Sequence, residues 1–212
     1  MIVLSHYIMN AKLIDFEPKT KDLTQGNYYW TFEKGLDSET CKTILDTATG
    51  HFNQVTILGK DGQDKTNENI RKGHNFFDNQ QFVYDKIWPF MTTANENAEW
   101  NFEISSAESY QIGKYEVDDF YQEHVDSLGT EGTIFKDPKN PNLDNKTRKM
   151  SMSVNLNDDY EGGDLILYDV GPVKQKTGNI TFFPSYLPHE VTPVTKGTRY
   201  SLVMWFLGNP WR

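Results

Sequence analysis

Met150-Ser151-Met152-Ser153-Val154-Asn155-Leu156 alternates apolar and polar side chains. Successive side chains on a strand point to opposite faces, so this period of two predicts a half-buried β-strand. The same grammar of short strands extends outward on both sides. Upstream, residues 102–104, 109–112 and 121–125 read as β segments; downstream, residues 163–168, 179–183, 189–194 and 198–206 do. Short strands at close spacing, separated by Gly, Pro and Asn turns, suggest a sandwich or jelly-roll barrel. Residues 127–148, rich in Gly, Pro and Asn, form an irregular insertion within this series. Long loops without structure of their own are often lids or binding loops.

Before residue 100 the chain mixes helix and strand. Asp37 or Ser38 offers an N-cap, and Cys41, Ile44, Leu45 and Ala48 follow at helical spacing, with Gly50 as a stop. Residues 52–58 read as a strand and the charged stretch 59–75 as a mobile loop. A second helix is expected over 79–97, with Phe82, Ile87, Phe90 and Met91 inward and a kink at Pro89. The apolar N-terminal stretch from Met1 lacks a basic region and reads as an extended segment rather than a signal peptide. No stretch approaches the roughly 20 apolar residues of a membrane span. With no repeat or linker, the expected organisation is one α+β domain over 1–212, helical and strand support over 1–99 and a strand-rich core over 100–212.

Lys and Arg number 21 against 30 Asp and Glu, a net charge of −9. Such a surface disfavours nucleic acid and anionic membranes, because phosphates would be repelled. The single cysteine, Cys41, excludes an intrachain disulfide and makes a reducing, cytoplasmic setting the default. Its place in the first helical pattern marks it as a small core residue.

His124 and Asp126 stand two apart in a strand pattern, so both point to one side. His189 lies on a later strand, after the turn-rich run Phe183-Pro184-Ser185-Tyr186-Leu187-Pro188. Two imidazoles and one carboxylate on one face of a metal form the ligand set of non-haem Fe(II) oxygenases, which keep positions open for a 2-oxo acid and O2. Arg199 follows on the next strand, where a guanidinium can clamp the distal carboxylate of that 2-oxo acid. A carboxylate at 126 favours hydroxylation over halogenation. Any one of these residues alone is ordinary; the conjunction of order, spacing and strand context carries the reading. His6, His51 and His74 lack partners at ligand spacing and read as non-ligands.

The chain resembles the 2-oxoglutarate/Fe(II)-dependent dioxygenases of the prolyl 4-hydroxylase-like superfamily. The resemblance rests on Tyr115 through His124-Val125-Asp126, on Tyr160-Glu161-Gly162-Gly163-Asp164-Leu165, and on the stretch from Phe183-Pro184 through His189 to Arg199 and Trp205-Phe206. It covers residues 100 to 207 densely and the N-terminal part in outline. It implies a double-stranded β-helix (jelly-roll) core, with His124, Asp126 and His189 as iron ligands. It further implies Arg199 as the partner of the 2-oxoglutarate C5 carboxylate and Tyr115 as a cosubstrate contact. Arginine at 199 is more like the oxygen-sensing and bacterial PKHD-type enzymes, since collagen-type enzymes usually carry Lys there. Asn155 matches a second polar cosubstrate position where Tyr is common, and Leu165 and Trp205 match apolar positions lining the cosubstrate pocket. The implied activity is O2-dependent peptidyl-prolyl 4-hydroxylation with release of succinate and CO2, using Fe(II) and 2-oxoglutarate, with ascorbate among the small molecules bound. Arg71 loosely matches a basic position in the substrate-covering loop, and the loops at 59–75 and 127–148 are placed to close over an extended peptide.

Three other readings stand beside this one: the same iron chemistry on another side chain or a free amino acid, a non-catalytic β-sandwich binding module, and a metal-dependent cupin isomerase. The binding module predicts no Fe(II) binding, and the isomerase leaves Arg199 without a purpose.

Overall fold

The structure is a computed structural model that describes residues 28–55, 57–58, 64–65, 67–130 and 133–211. The N-terminal extended segment and part of the 59–75 loop expected from the sequence lie outside the described residues. In the first half the elements are β1 (Trp30–Phe32), α1 (Ser38–Ala48), β2 (Asn53–Gln54), β3 (Ile57–Leu58), β4 (Asp64–Lys65), β5 (Arg71–Lys72), β6 (His74–Asp78) and α2 (Gln81–Asn97). The strands β7 (Ser106–Ala107), β8 (Tyr110–Tyr115), β9 (Phe120–His124), β10 (Thr147–Asn155), β11 (Glu161–Gly162) and β12 (Leu165–Leu167) follow. The chain ends with β13 (Gly171–Pro172), β14 (Ile180–Pro184), β15 (His189–Val191), β16 (Val194–Lys196) and β17 (Arg199–Gly208).

Two antiparallel sheets face each other. The major sheet runs β1-β14-β10-β17-β8-β6-β2, with β7 beside β17, and the minor sheet runs β13-β12-β15-β9-β5. Strand order jumps repeatedly in sequence, which makes this a double-stranded β-helix. On β17, Leu202, Met204 and Phe206 enter the core beneath the helices, while Arg199, Ser201, Val203 and Trp205 line a cavity between the sheets. β10 divides in the same way. Met150, Met152 and Val154 are core, and Ser151, Ser153 and Asn155 are buried on the other face. The strand read as half-buried is therefore covered on both sides, because the minor sheet lies over its polar face.

The helices cover the outer face of the major sheet. Asp37 caps α1 by accepting the Thr40 N–H at 2.7 Å, and Cys41, Ile44 and Ala48 are buried. Gly50, at φ 81°, follows the helix end. α2 runs through Pro89 and buries Tyr84, Ile87, Trp88 and Met91 in the same core. Truncating one of these, such as Ile87→Ala, would cost about 2–5 kcal/mol.

Three segments differ from the sequence reading. Residues 102–104 are irregular because the Asn95 side chain takes both the N–H and the C=O of Phe102, at 2.9 Å each, where a strand would use a neighbour. Residues 52–58 split into β2 and β3, which join different sheets. Within 59–75, Arg71–Lys72 pairs with β9 in the minor sheet and His74–Asp78 with β8 in the major one. The chain crosses between sheets at Gly73, whose φ of 146° and close approach to the Lys114 carbonyl suit glycine. Among the described residues, no helix is long and apolar enough to cross a membrane.

Candidate active site

Strand pairing brings the distant histidines together. β9 and β15 are antiparallel neighbours with His124 directly opposite His189, and their rings lie 4.2 Å apart. Just beyond β9, the Asp126 and Ser127 N–H groups both donate to the Ser185 carbonyl at 3.0 Å, which turns Asp126 back toward the histidines. Asp126 Oδ1 is then 4.0 Å from His124 Nε2 and Oδ2 is 3.6 Å from His189 Nε2. The three ligand atoms all lie within 4.8 Å of one another.

The surroundings prepare these atoms for a cation. His124 Nδ1 lies 2.8 Å from the Gln122 carbonyl and His189 Nδ1 lies 2.9 Å from the Leu187 carbonyl. A carbonyl only accepts, so each Nδ1 carries the proton and each Nε2 presents its lone pair to the shared point. Burial, and then the neighbouring His189, push His124 down to about 4, so its imidazole is neutral at pH 7. Burial pushes the Asp126 carboxyl up, but His189, Arg148 and His124 outweigh it and hold the group below the usual carboxylate range. Ser151 Oγ donates to Asp126 Oδ2 at 2.6 Å and meets Ser185 Oγ at 2.9 Å, which fixes the carboxylate plane. Two imidazoles and an ionised carboxylate, with donor atoms converging on one point, fit a divalent iron ion.

Arg199 lies in the same cavity and is 1 % exposed. Its partners are neutral: Gln175 Oε1 and Ser201 Oγ at 3.2 Å each, and the Tyr115 ring with its centroid 5.4 Å from the guanidinium carbon. Arg199 and Tyr115 are register partners on β17 and β8. Among the described residues no carboxylate pairs with this buried cation, and a buried charge without a counter-ion calls for an anionic ligand. Arg199 fits the distal carboxylate of 2-oxoglutarate.

The structure brings most of the candidate residues together. His124, Asp126, His189, Arg199, Tyr115, Leu165 and Trp205 all line one cavity of about 1160 Å³. Asn155 does not line it. Its carboxamide donates to the Tyr160 hydroxyl at 2.7 Å and so reaches the Arg199 end only through Tyr160 and Gln175.

The sequence reading missed four contributors. Arg148 makes a bidentate pair with Glu108, at 2.6 and 2.8 Å, lies over the Trp205 ring and comes within 3.9 Å of Asp126 Oδ1. Ser151 and Gln175 are the other two. Ser151 was findable, since it shares a strand face with Ser153 and Asn155; Gln175 had no signal. His74 differs from its expectation as well. It comes within ligand distance of Glu116 and Asp119. Lys72 and Lys114 already pair those two carboxylates, at 3.5 and 3.0 Å, so the group is an ion-pair network.

Residues 110–207 match the 2OG-Fe(II) oxygenase superfamily, and this segment contains both histidines, Asp126 and Arg199. A PKHD-type hydroxylase of Alteromonas mediterranea is 32% identical over 97 residues, which span 44% of this chain and 41% of that protein. The match thus spans less than half of that relative's length. A PKHD-type hydroxylase of a Synechococcus species is 28% identical over 183 residues, 80% of this chain and 74% of that protein. In fold, the chain is similar to the viral collagen prolyl hydroxylase of Paramecium bursaria Chlorella virus-1 in its complex with 2OG. The TM-score is 0.62 at 18% identity, covering 88% of this chain and 99% of the other. The matched segment, the shared double-stranded β-helix and a donor set suited to iron and 2-oxoglutarate agree: over residues 110–207 the chain is similar to the 2OG-Fe(II) oxygenase superfamily, and its fold is that of the viral prolyl hydroxylase.

Proposed function

We propose that this protein is an Fe(II)- and 2-oxoglutarate-dependent dioxygenase that hydroxylates peptidyl proline, at C4, with release of succinate and CO2. The observation that carries the reading is one cavity wall that holds both halves of the requirement. His124, Asp126 and His189 present bare donor atoms, and Arg199 presents a buried cation without a carboxylate partner. Iron and cosubstrate, when bound, supply the oxidising power; one oxygen atom of O2 goes to the substrate C–H bond and the other to succinate.

The chain's residues do the positioning. His124, His189 and Asp126 hold the metal, with Ser151 and the two backbone carbonyls setting the orientation of each ligand. Arg199 takes the C5 carboxylate, and Tyr115, its register partner, lies within reach of the same group. Leu165 and Trp205 line the pocket with apolar surface that keeps water from the reacting centre.

The test is succinate formation by anaerobically Fe(II)-loaded protein, with and without proline peptides, beside His124→Ala and Asp126→Ala. Succinate that needs iron, both ligands and a peptide, with a product 16 Da heavier, supports the whole reading. Succinate without peptide dependence keeps the oxygenase and removes the prolyl assignment. Absence of both succinate and Fe(II) binding overturns it.

A further inference from the structure

Arg71 sits at the mouth of the iron-side cavity on β5, directly opposite Tyr121 of β9. Its guanidinium carbon is 4.5 Å from the Tyr121 ring centroid, and that ring stacks on His124 at 3.5 Å. The cation is thus two ring contacts from the proposed metal centre. Its own bonding is incomplete. Nη2 donates to Gln111 Oε1 at a long 3.4 Å, and Gln111 also accepts from Asn75 at 3.2 Å. Nε is buried with no partner at all. Trp205 Nε1 is likewise a buried donor without a partner, and Trp205 lines the same cavity. Each unmet buried donor costs roughly 1–3 kcal/mol relative to a satisfied one, so a ligand that brings acceptors is favoured.

Charge matching makes the requirement more specific. Of the three arginines that line the cavity, Arg148 is neutralised by Glu108. Arg199 would be matched by the C5 carboxylate of the cosubstrate, and the metal by Asp126 and the cosubstrate's other carboxylate. Arg71 alone keeps an unmatched charge, since it makes no ion pair among the described residues. The protein as a whole carries −9, so this local excess of positive charge runs against the surface trend.

We propose that Arg71 is a specificity-determining residue that binds a carboxylate of the substrate close to the reacting residue. The proposal rests on the prolyl hydroxylase reading above and names the substrate class within it. The carboxylate comes from an Asp or Glu side chain near the target proline or from a free C-terminus. Arg71 is two ring contacts from His124, by way of Tyr121, and consecutive Cα atoms are about 3.8 Å apart, so the acidic residue is sought one or two positions from the proline.

The experiment uses Fe(II)- and 2-oxoglutarate-loaded protein with single-proline peptides. Each peptide carries Asp, Asn or Lys at one of the two positions on either side of proline and ends in an amide. One further arm is the neutral peptide with a free C-terminal acid. Turnover is followed as kcat/KM. Binding is followed by fluorescence anisotropy on Zn(II)-substituted protein with 2-oxoglutarate, where no turnover occurs. The expected result is a preference of about 10- to 100-fold for a carboxylate peptide over its neutral counterpart, the range for a charge-assisted hydrogen bond. Arg71→Gln should erase the preference, and Arg71→Glu should turn it toward the Lys peptide, a gain that an unfolded variant could not show. An Arg71-dependent preference confined to the free acid assigns the carboxylate to the chain terminus. Equal binding of acidic and neutral peptides by the wild-type protein, or a preference that survives Arg71→Gln, overturns the proposal. If only the prolyl reading fails, no proline peptide gains 16 Da, while the acidic-over-neutral binding difference and its dependence on Arg71 remain.

Discussion

Glu108→Gln tests how the charges around Asp126 are arranged. In the native site the Glu108 carboxylate receives two hydrogen bonds from Arg148, at 2.6 and 2.8 Å, while Asp126 Oδ1 stands 3.9 Å from the same guanidinium. Burial lowers the tendency of Arg148 to hold its charge, but Glu108 outweighs this and keeps the group fully protonated. A glutamine keeps the shape and removes the counter-charge. Breaking a buried pair costs about 3–5 kcal/mol when the remaining charge has no other partner. Arg148 retains 23% side-chain exposure and has Asp126 in reach, so the loss should be smaller, about 2–3 kcal/mol. At about 2–4 °C per kcal/mol for a chain of this size, the metal-free protein should melt roughly 4–12 °C lower.

The second consequence is chemical. Released from Glu108, Arg148 should close on Asp126 and compete with the metal for its carboxylate, lowering metal affinity about 10- to 100-fold, the usual range for an outer-shell change. Thermal unfolding of the metal-free protein and a Zn(II) chelator-competition titration measure the two effects. Glu108→Gln/Arg148→Met removes both charges and should recover most of the affinity, a coupling readable in a double-mutant cycle. Unchanged metal affinity in Glu108→Gln, or strictly additive single effects, would refute the reasoning.

Arg199→Met should abolish measurable 2-oxoglutarate binding by calorimetry, a drop of at least about 100-fold. The metal-free melting point should stay within a few degrees, because the lost cation had only neutral partners; a large fall in melting point with 2-oxoglutarate binding intact would contradict both points. Acid should weaken the metal-free protein. The unfolded chain binds a proton at His124 near 6.5 and the folded chain only at about 4, so stability from this group is full above 6.5 and is lost as pH falls toward 4. The loss is on the order of 3 kcal/mol, seen by comparing melts at pH 7 and pH 4.5; equal melting points would argue against a neutral buried imidazole. Gly178→Ala should destabilise by about 3 kcal/mol or more. Its φ is 81°, an added Cβ would lie 1.9 Å from the Leu36 carbonyl oxygen, and hydrogen bonds to Leu36 and Asn155 hold the segment in place. A urea midpoint near wild type would rule this out.

The sequence by itself determined the elements whose signal is local. The period of two over 150–156, the capped helical spacing after Asp37 and the His124-x-Asp126 pair each fix a backbone geometry or a side-chain direction within a few residues. His189 and Arg199 carried no signal singly and stood out only through their order, spacing and strand context relative to the His124-x-Asp126 pair. The tertiary structure alone decided what depends on pairing between distant segments. β5 has two basic residues and no pattern of its own; it is a strand because β9 supplies its ladder, and this is what puts Arg71 beside Tyr121. Arg148 and Glu108 stand 40 residues apart and meet only because β10 and the segment leading into β8 both flank β17. Asn155, expected as a cosubstrate contact, stands off the cavity with its carboxamide donating to the Tyr160 hydroxyl. Hydrogen bonds and ion pairs between segments far apart in the chain leave no periodic trace in it. The candidate ligand set could therefore be proposed from the sequence, and the charges around it could not.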